Sequence, residues 1–139
     1  TADAMSWTIR DRGFEMSLSA RVPDVIEREL AEFVATWLSR HGLDLDAVRS
    51  FAIHPGGPRI LDAVERALAR NADATATSRD VLAQFGNMSS PTVLFILERL
   101  RASRAPTPCV ALAFGPGLVV EAALFDRDAG SRHLLRPRT

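Results

Sequence analysis

Residues 50–65 read Ser50-Phe51-Ala52-Ile53-His54-Pro55-Gly56-Gly57-Pro58-Arg59-Ile60-Leu61-Asp62-Ala63-Val64-Glu65, and this stretch decides the fold. The apolar run Phe51 to Ile53 predicts a short buried strand. The Pro-Gly-Gly-Pro turn ends it, and Ile60, Leu61, Val64 and Leu68 then recur at helical spacing. A buried strand that turns directly into a helix opens an α/β layer, and ligands of such layers bind at the carboxyl ends of the strands. His54 holds that position. Paired glycines let another molecule approach the backbone, and the first helical turn offers unpaired N–H groups. The plainer alternative is a histidine that ends a strand and is satisfied by a neighbouring carbonyl.

Upstream, Met5, Trp7 and Ile9 alternate, as do Phe14, Met16 and Leu18 after Asp11-Arg12-Gly13, which predicts a hairpin with one buried face. Pro23 suits the first turn of a helix whose apolar stripe runs Val25, Ile26, Leu30, Phe33, Val34, Trp37 and Leu38 and stops near His41-Gly42. Downstream, residues 71–77 read as a loop, and Ser78 to Phe85 as a short helix capped by Thr77 or Ser78. Gly86-Asn87 breaks that helix, and Pro91 opens another bearing Val93, Leu94, Ile96, Leu97 and Leu100. Cys109 to Phe114 and Leu118 to Phe125 read as strands joined by Gly115-Pro116-Gly117, and the tail from Asp126 is polar and rich in arginine. The expectation is an α/β layer with a mixed sheet of five strands over residues 1–125, followed by a tail at 126–139. Helices on one face would leave the other needing cover, so the layer reads as half of a larger body.

Composition narrows the function classes. The chain has 139 residues, 47% of them apolar, enough for a packed core. Its apolar runs are too short to span a bilayer and no signal segment opens it, so a soluble cytoplasmic protein with no membrane partner is expected. Seventeen acidic residues balance 17 basic ones, and no basic stripe speaks for nucleic acid. All the basic residues are arginine, which suits a genomic composition bias better than a phosphate site. Cys109 is the single cysteine, and His41, His54 and His133 are scattered, so neither a disulfide nor a metal site is expected.

Asn87 follows Gly86 at a helix break, where asparagine commonly caps the next helix. The alternative use is its amide, as a donor to a carbonyl that gains negative charge during reaction.

Three runs, FAIHPGGPRILDAVE, GNMSSPTVLFILERLR and LAFGPGLVVE, resemble in order and spacing the C-terminal signature blocks of the chalcone-synthase-like type III polyketide synthases, and GFEMSL followed by VP fits the pattern upstream. The resemblance spans Met5 to about Phe125 and rests on the combination of blocks. It implies the C-terminal half of a thiolase-like αβαβα fold. It also implies decarboxylative condensation of malonyl-CoA with an acyl-CoA starter, giving an alkylpyrone, alkylresorcinol or naphthalenol-type product. His54 and Asn87 become two members of a Cys-His-Asn triad, with CoA thioesters as substrates and no cofactor. Gly56, Gly57 and the backbone of Arg59 align with the turn beside the CoA arm. Ser89 aligns with a residue near the initiation pocket, or is a helix cap. Met16 stands where many plant members carry a gatekeeping phenylalanine, or is a core methionine. Gly115, Pro116 and Gly117 resemble the GFGPG loop of the cyclisation cavity, with Ala113 in place of its first glycine.

The family's nucleophilic cysteine belongs to an N-terminal half upstream. Cys109, which follows both His54 and Asn87, reads as a core residue. The resemblance therefore implies a whole enzyme with an N-terminal half, a homodimer at full length, and a fragment that does not turn over alone. Two other readings stand beside it. One is a ketoacyl-carrier-protein synthase of the initiating kind, which shares the triad logic but usually follows its histidine with a polar stretch. The other is a non-catalytic interaction module derived from the fold.

Overall fold

The computed structural model describes residues 5–10 and 13–126. The tail from 127 on, with His133, and the turn residues Asp11 and Arg12 lie outside the described residues.

Strand β1 (Met5–Arg10) pairs antiparallel with β2 (Gly13–Leu18), setting Met5, Trp7 and Ile9 opposite Leu18, Met16 and Phe14. Helix α1 (Val22–Ser39) follows, with Pro23 in its first turn. Its buried stripe is Val22, Ile26, Leu30, Val34 and Leu38, one residue per turn on a single face. Beyond its end, Gly42 takes φ +70°, and Leu43 N–H reaches back to Leu38 O at 3.1 Å.

Next come β3 (Ser50–Ile53), α2 (Pro58–Ala67), α3 (Ala76–Phe85), α4 (Pro91–Ala102), β4 (Cys109–Gly115) and β5 (Val119–Phe125). The five expected strands are all present, but they form two sheets: the β1–β2 hairpin, and a mixed sheet in the order β3-β4-β5. In the latter β3 and β4 are parallel and β5 is antiparallel to β4. This corrects the single sheet of five strands. Apolar alternation sets which face of a strand is buried, and not which strand lies beside it.

Helices cover both faces of the mixed sheet, not one. Phe51, Ile53, Val110 and Leu112 pack with α1 and α2 in the main core. On the other face Ala52, Cys109 and Ala111 pack with Val81 of α3 and Ile96 of α4. That second cover stops short of β5. Register puts Val119, Ala123 and Phe125 on the α3–α4 side, and all three are exposed.

Smaller differences concern starts. The stretch expected as a loop holds a 3-10 turn, Ala72–Thr75, and α3 begins at Ala76. Neither Thr77 nor Ser78 caps it: Thr75 is the cap residue and makes no side-chain cap bond. Leu118 belongs to the β4–β5 turn, not to the strand, with φ +58°.

Candidate active site at the carboxyl edge of the sheet

Because β3 and β4 are parallel, their carboxyl ends share one edge. His54 follows β3 and donates its backbone N–H to Leu112 O of β4 at 2.8 Å. Gly115, Pro116 and Gly117 leave β4 at the same edge, and β1 lies against that turn. Helix α4 brings the third motif there. Its last turns lie beside Ser50 and Cys109, where the strands begin. Twelve residues at 1.5 Å each give α4 about 18 Å, close to the length of β4. Its start, with Asn87 to Pro91 before it, therefore lies toward the carboxyl edge.

His54 is half-buried, and burial lowers its pKa from the ordinary histidine value, which favours the neutral ring. Asn87 is exposed at the break after α3, where Gly86 (φ +70°) turns the chain. Its Oδ1 accepts the Ser89 backbone N–H at 2.9 Å. That bond decides which way the amide faces, because an N–H can be met only by the carbonyl side. The NH2 group is thereby left for another acceptor. Capping and donation, posed as alternatives for Asn87, are compatible in one side chain. Ser89 holds φ +63°, the left-handed region that costs a non-glycine residue about 1 kcal/mol or more. It does not cap a helix through its side chain; its part in the turn is its backbone.

Gly56 and Gly57 precede α2. Gly57 is extended, with φ 171°, a conformation open to any residue, and a Cβ there would meet nothing within 4 Å. A Cβ on Gly56 would meet Ile60 Cγ1 at 3.3 Å. Neither backbone conformation nor packing inside the chain therefore calls for glycine at 57. Arg59 is exposed in the first turn of α2, where backbone amides have no helical acceptor. Gly117 does need to be glycine on conformational grounds, at φ +73°. Met16 lies in β2 opposite Trp7, and its side chain lies outside the described residues.

Cys109 is buried at the start of β4, level with Ser50. His54 lies four strand residues further on, about 13 Å away. Burial raises the thiol pKa, and a hydrogen bond to Ser50 only partly opposes this, so the thiolate is disfavoured. An open cavity of about 510 Å³ lies at this same amino edge, between Leu94, Leu97 and Leu100 of α4 and Leu124 and Phe125 of β5. It is a gap beside the bare part of the sheet, remote from His54. His41, at the end of α1, is exposed and packs edge-on against Trp37 at 4.9 Å.

Three residues with structural work at this edge were not read as such: Ser78 was expected only as a helix cap, and Arg79 and Thr92 carried no expectation. Ser78 Oγ, fully buried, accepts Ile53 N–H at 3.1 Å. Thr92 Oγ1, also fully buried, accepts Met88 N–H at 2.8 Å. Arg79 bridges α3 to Asp62 and Glu65 of α2 at 2.6 and 2.8 Å. Ser78 and Thr92 each carry a hydroxyl at a core position of a helix, which was the available signal.

The model of the chalcone and stilbene synthases, C-terminal domain, matches residues 1–127. The alpha-pyrone synthesis polyketide synthase-like Pks18 of Mycobacterium tuberculosis is 38% identical over 91% of this chain and 33% of its own length. The 1,3,6,8-tetrahydroxynaphthalene synthase of Streptomyces peucetius is 37% identical over 89% of this chain and 34% of its own length. Among solved structures, PKS-I of the brown alga Ectocarpus siliculosus superposes with a TM-score of 0.85 at 31% identity, over 88% of this chain and 35% of that one. The tetrahydroxynaphthalene synthase of Streptomyces coelicolor superposes with a TM-score of 0.79 at 32% identity, over 88% and 36%. The chain spans about a third of the length of the curated relatives it matches.

Proposed function

Since the chain belongs to the chalcone and stilbene synthases, as the C-terminal domain of a type III polyketide synthase, we propose that it supplies the two oxyanion donors, His54 and Asn87, of a malonyl-CoA-decarboxylating condensation. The observation that supports this reading is the Asn87 amide, whose Oδ1 accepts Ser89 N–H so that its NH2 side is left for another acceptor.

A cysteine thiolate outside this chain holds the starter as a thioester. The C–C bond to the malonyl carboxylate breaks, carbon dioxide leaves, and the electron pair moves onto the thioester oxygen as an enolate. An N–H of the His54 ring and the Asn87 amide donate to that oxygen; fixed donors aimed at developing charge contribute most when they need no reorganisation. The enolate carbon then attacks the bound acyl carbon, the new C–C bond forms, and the thiolate departs. Nothing in this sequence needs a strong base. A half-buried neutral histidine beside a neutral amide suits it better than a histidine paired with a carboxylate.

The turn at Gly56, Gly57 and Arg59 receives the CoA arm, which explains a glycine at 57 whose Cβ position is open. Ser89, Met16 and the Gly115-Pro116-Gly117 turn border the pocket in which the chain grows. The names of the matched relatives, alpha-pyrone and tetrahydroxynaphthalene synthases, support pyrone or naphthalenol-type products. The remaining walls and the cysteine belong to an N-terminal half, and the whole enzyme works as a homodimer in the cytoplasm. The described residues contain no helix long and apolar enough to cross a membrane.

The test is carbon dioxide release from malonyl-CoA by the whole enzyme. His54→Ala and Asn87→Ala each lower it about 10²-fold or more, the scale of losing one oxyanion donor. Wild-type release from both variants sinks the reading. A whole protein that is never acylated by any acyl-CoA points to the interaction module instead.

A further inference from the structure

Among the described residues β3 is an edge strand, paired only with β4. Its amides alternate in direction. Ser50 and His54 donate toward β4, to Pro108 O and Leu112 O. Ile53, out of phase with both, points its N–H the other way, where no strand lies among the described residues. A buried edge amide without a partner is unfavourable, and buried N–H groups are almost always satisfied. Here Ser78 Oγ takes it, at 3.1 Å, with both residues fully buried.

The neighbouring residue of α3 holds the body of α2, the helix that follows the turn. Arg79 Nη2 donates to Asp62 Oδ1 at 2.6 Å and to Glu65 Oε1 at 2.8 Å, and its Nε donates to Thr75 Oγ1 at 3.2 Å. Thr75 also hydrogen-bonds Glu65, whose side chain is only 13% exposed. Asp62 and Glu65 belong to α2, which begins at Pro58, four residues after His54. The strand before the His54 to Gly57 turn and the body of the helix after it are thus both tied to the first turn of α3. The far end of that helix is Phe85, followed by Gly86 and Asn87.

We infer that Ser78 and Arg79 are positioning residues that set His54 in place relative to Asn87, with α3 as the rigid bar between the two donors. Neither residue touches the reacting atoms. Ser78 fixes the strand immediately before the histidine, Arg79 fixes the body of the helix that follows its turn, and the rest of α3 carries that frame to the asparagine. The inference rests on the oxyanion roles proposed above.

The experiment uses the whole enzyme and two readouts. The first is malonyl-CoA decarboxylation in a cycle of Ser78→Ala, His54→Gln and the double variant, with Ser78→Thr as the variant that keeps the accepting oxygen. Misplacing a catalytic group by about 1 Å costs up to roughly a hundredfold. Ser78→Ala therefore lowers kcat about tenfold or more, with KM for malonyl-CoA changed less than about twofold, and Ser78→Thr restores most of the loss. In the His54→Gln background the same Ser78→Ala change costs less than about twofold, because the group it positions is gone. The second readout is amide exchange of residues 50–58, independent of activity; Ser78→Ala speeds exchange at Ile53 at least tenfold.

Equal cost of Ser78→Ala in both backgrounds, wild-type kcat, or unchanged exchange at Ile53 each overturns the inference. If Ser78→Ala does not fold, Arg79→Lys takes its place in the cycle. It keeps the charge but cannot bridge two carboxylates in one plane, and the same outcomes decide. A His54→Gln enzyme that decarboxylates at the wild-type rate refutes the oxyanion reading itself. A slow His54→Gln beside a fast Ser78→Ala refutes only the positioning role.

Discussion

Replacing Thr92 by valine isolates one hydrogen bond in the turn that carries Asn87. Thr92 is fully buried in the first turn of α4, and its Oγ1 accepts Met88 N–H at 2.8 Å. Valine matches threonine in size and fills the same space, so packing with Ile96 and its neighbours is kept while the acceptor is lost. Met88 is half-buried, and its amide then has neither protein nor full water contact. An unsatisfied buried donor costs about 1–3 kcal/mol, and partial burial sets the lower half of that range, about 1–2 kcal/mol. Each 1.4 kcal/mol is a factor of ten, so exchange of the Met88 amide quickens roughly five- to thirtyfold by local opening. For a chain of this size the melting temperature falls about 2–8 °C. The assay is amide exchange on wild type, Thr92→Val and Thr92→Ser at one protein concentration. Serine keeps the oxygen, so the Met88 amide stays protected there even where the lost methyl lowers global stability. Exchange at Met88 within twofold of wild type in Thr92→Val refutes the claim that this hydroxyl holds the turn.

Three further outcomes are expected. Because burial lowers the His54 pKa, the unfolded chain binds more protons there as pH falls through the ordinary value of about 6.5. Stability is then flat above about pH 7 and declines below it. The denaturant midpoint at pH 5.5 against 7.5 drops for wild type and less for His54→Gln; equal drops show that His54 is not responsible. Leu94, Phe85 and Phe95 are 63%, 49% and 45% exposed, and Val119 and Phe125 extend the bare surface onto β5. The chain by itself should self-associate and bind a hydrophobic dye, and Leu94→Glu with Phe95→Lys should weaken both without lowering its unfolding midpoint. A monodisperse monomer that binds no dye counts against a missing half. Finally, the buried Cys109 thiol, pushed above its ordinary pKa, should alkylate at pH 8 at least tenfold more slowly in the native chain than in urea. Equal rates mean the site is open.

Local structure was legible where one residue's physics decides it. Pro23, Pro58 and Pro91 all sit in first helical turns, and Gly42 and Gly86 hold the left-handed conformations that end α1 and α3. His54 was legible as a strand end because a buried apolar run must stop at Pro55-Gly56. What failed was relational. Nothing in Met5 to Leu18 says whether the hairpin joins the main sheet, since an edge is chosen by what else competes for it. Ser78 was read as a cap because serine favours helix starts. In the fold it is a core hydroxyl whose partner, Ile53, lies 25 residues earlier, a distance no local pattern spans. Leu118 was read as the start of a strand; in the fold it takes φ +58° in the turn and packs against the main core, a conformation that the residue type does not announce.

The same contacts bear on how the proposed catalytic work is divided. The hydrogen bonds at the two proposed donors lie within this chain: Leu112 O and Ser78 for the His54 strand, Ser89 N–H and Thr92 for the Asn87 turn. The nucleophile has no counterpart here, because Cys109 lies about 13 Å away at the other edge with its thiol protonated. On the proposed reading, such a site has its electrostatic half set before the thiolate arrives. Docking of an N-terminal half then need only bring a sulfur to fixed donors, and the approach of that thiolate raises the His54 pKa that burial now lowers. The His54 imidazole should therefore titrate at higher pH in the whole enzyme than in this chain, a difference that ring-proton chemical shifts measured against pH can read. Equal titration in both means that no thiolate sits beside His54.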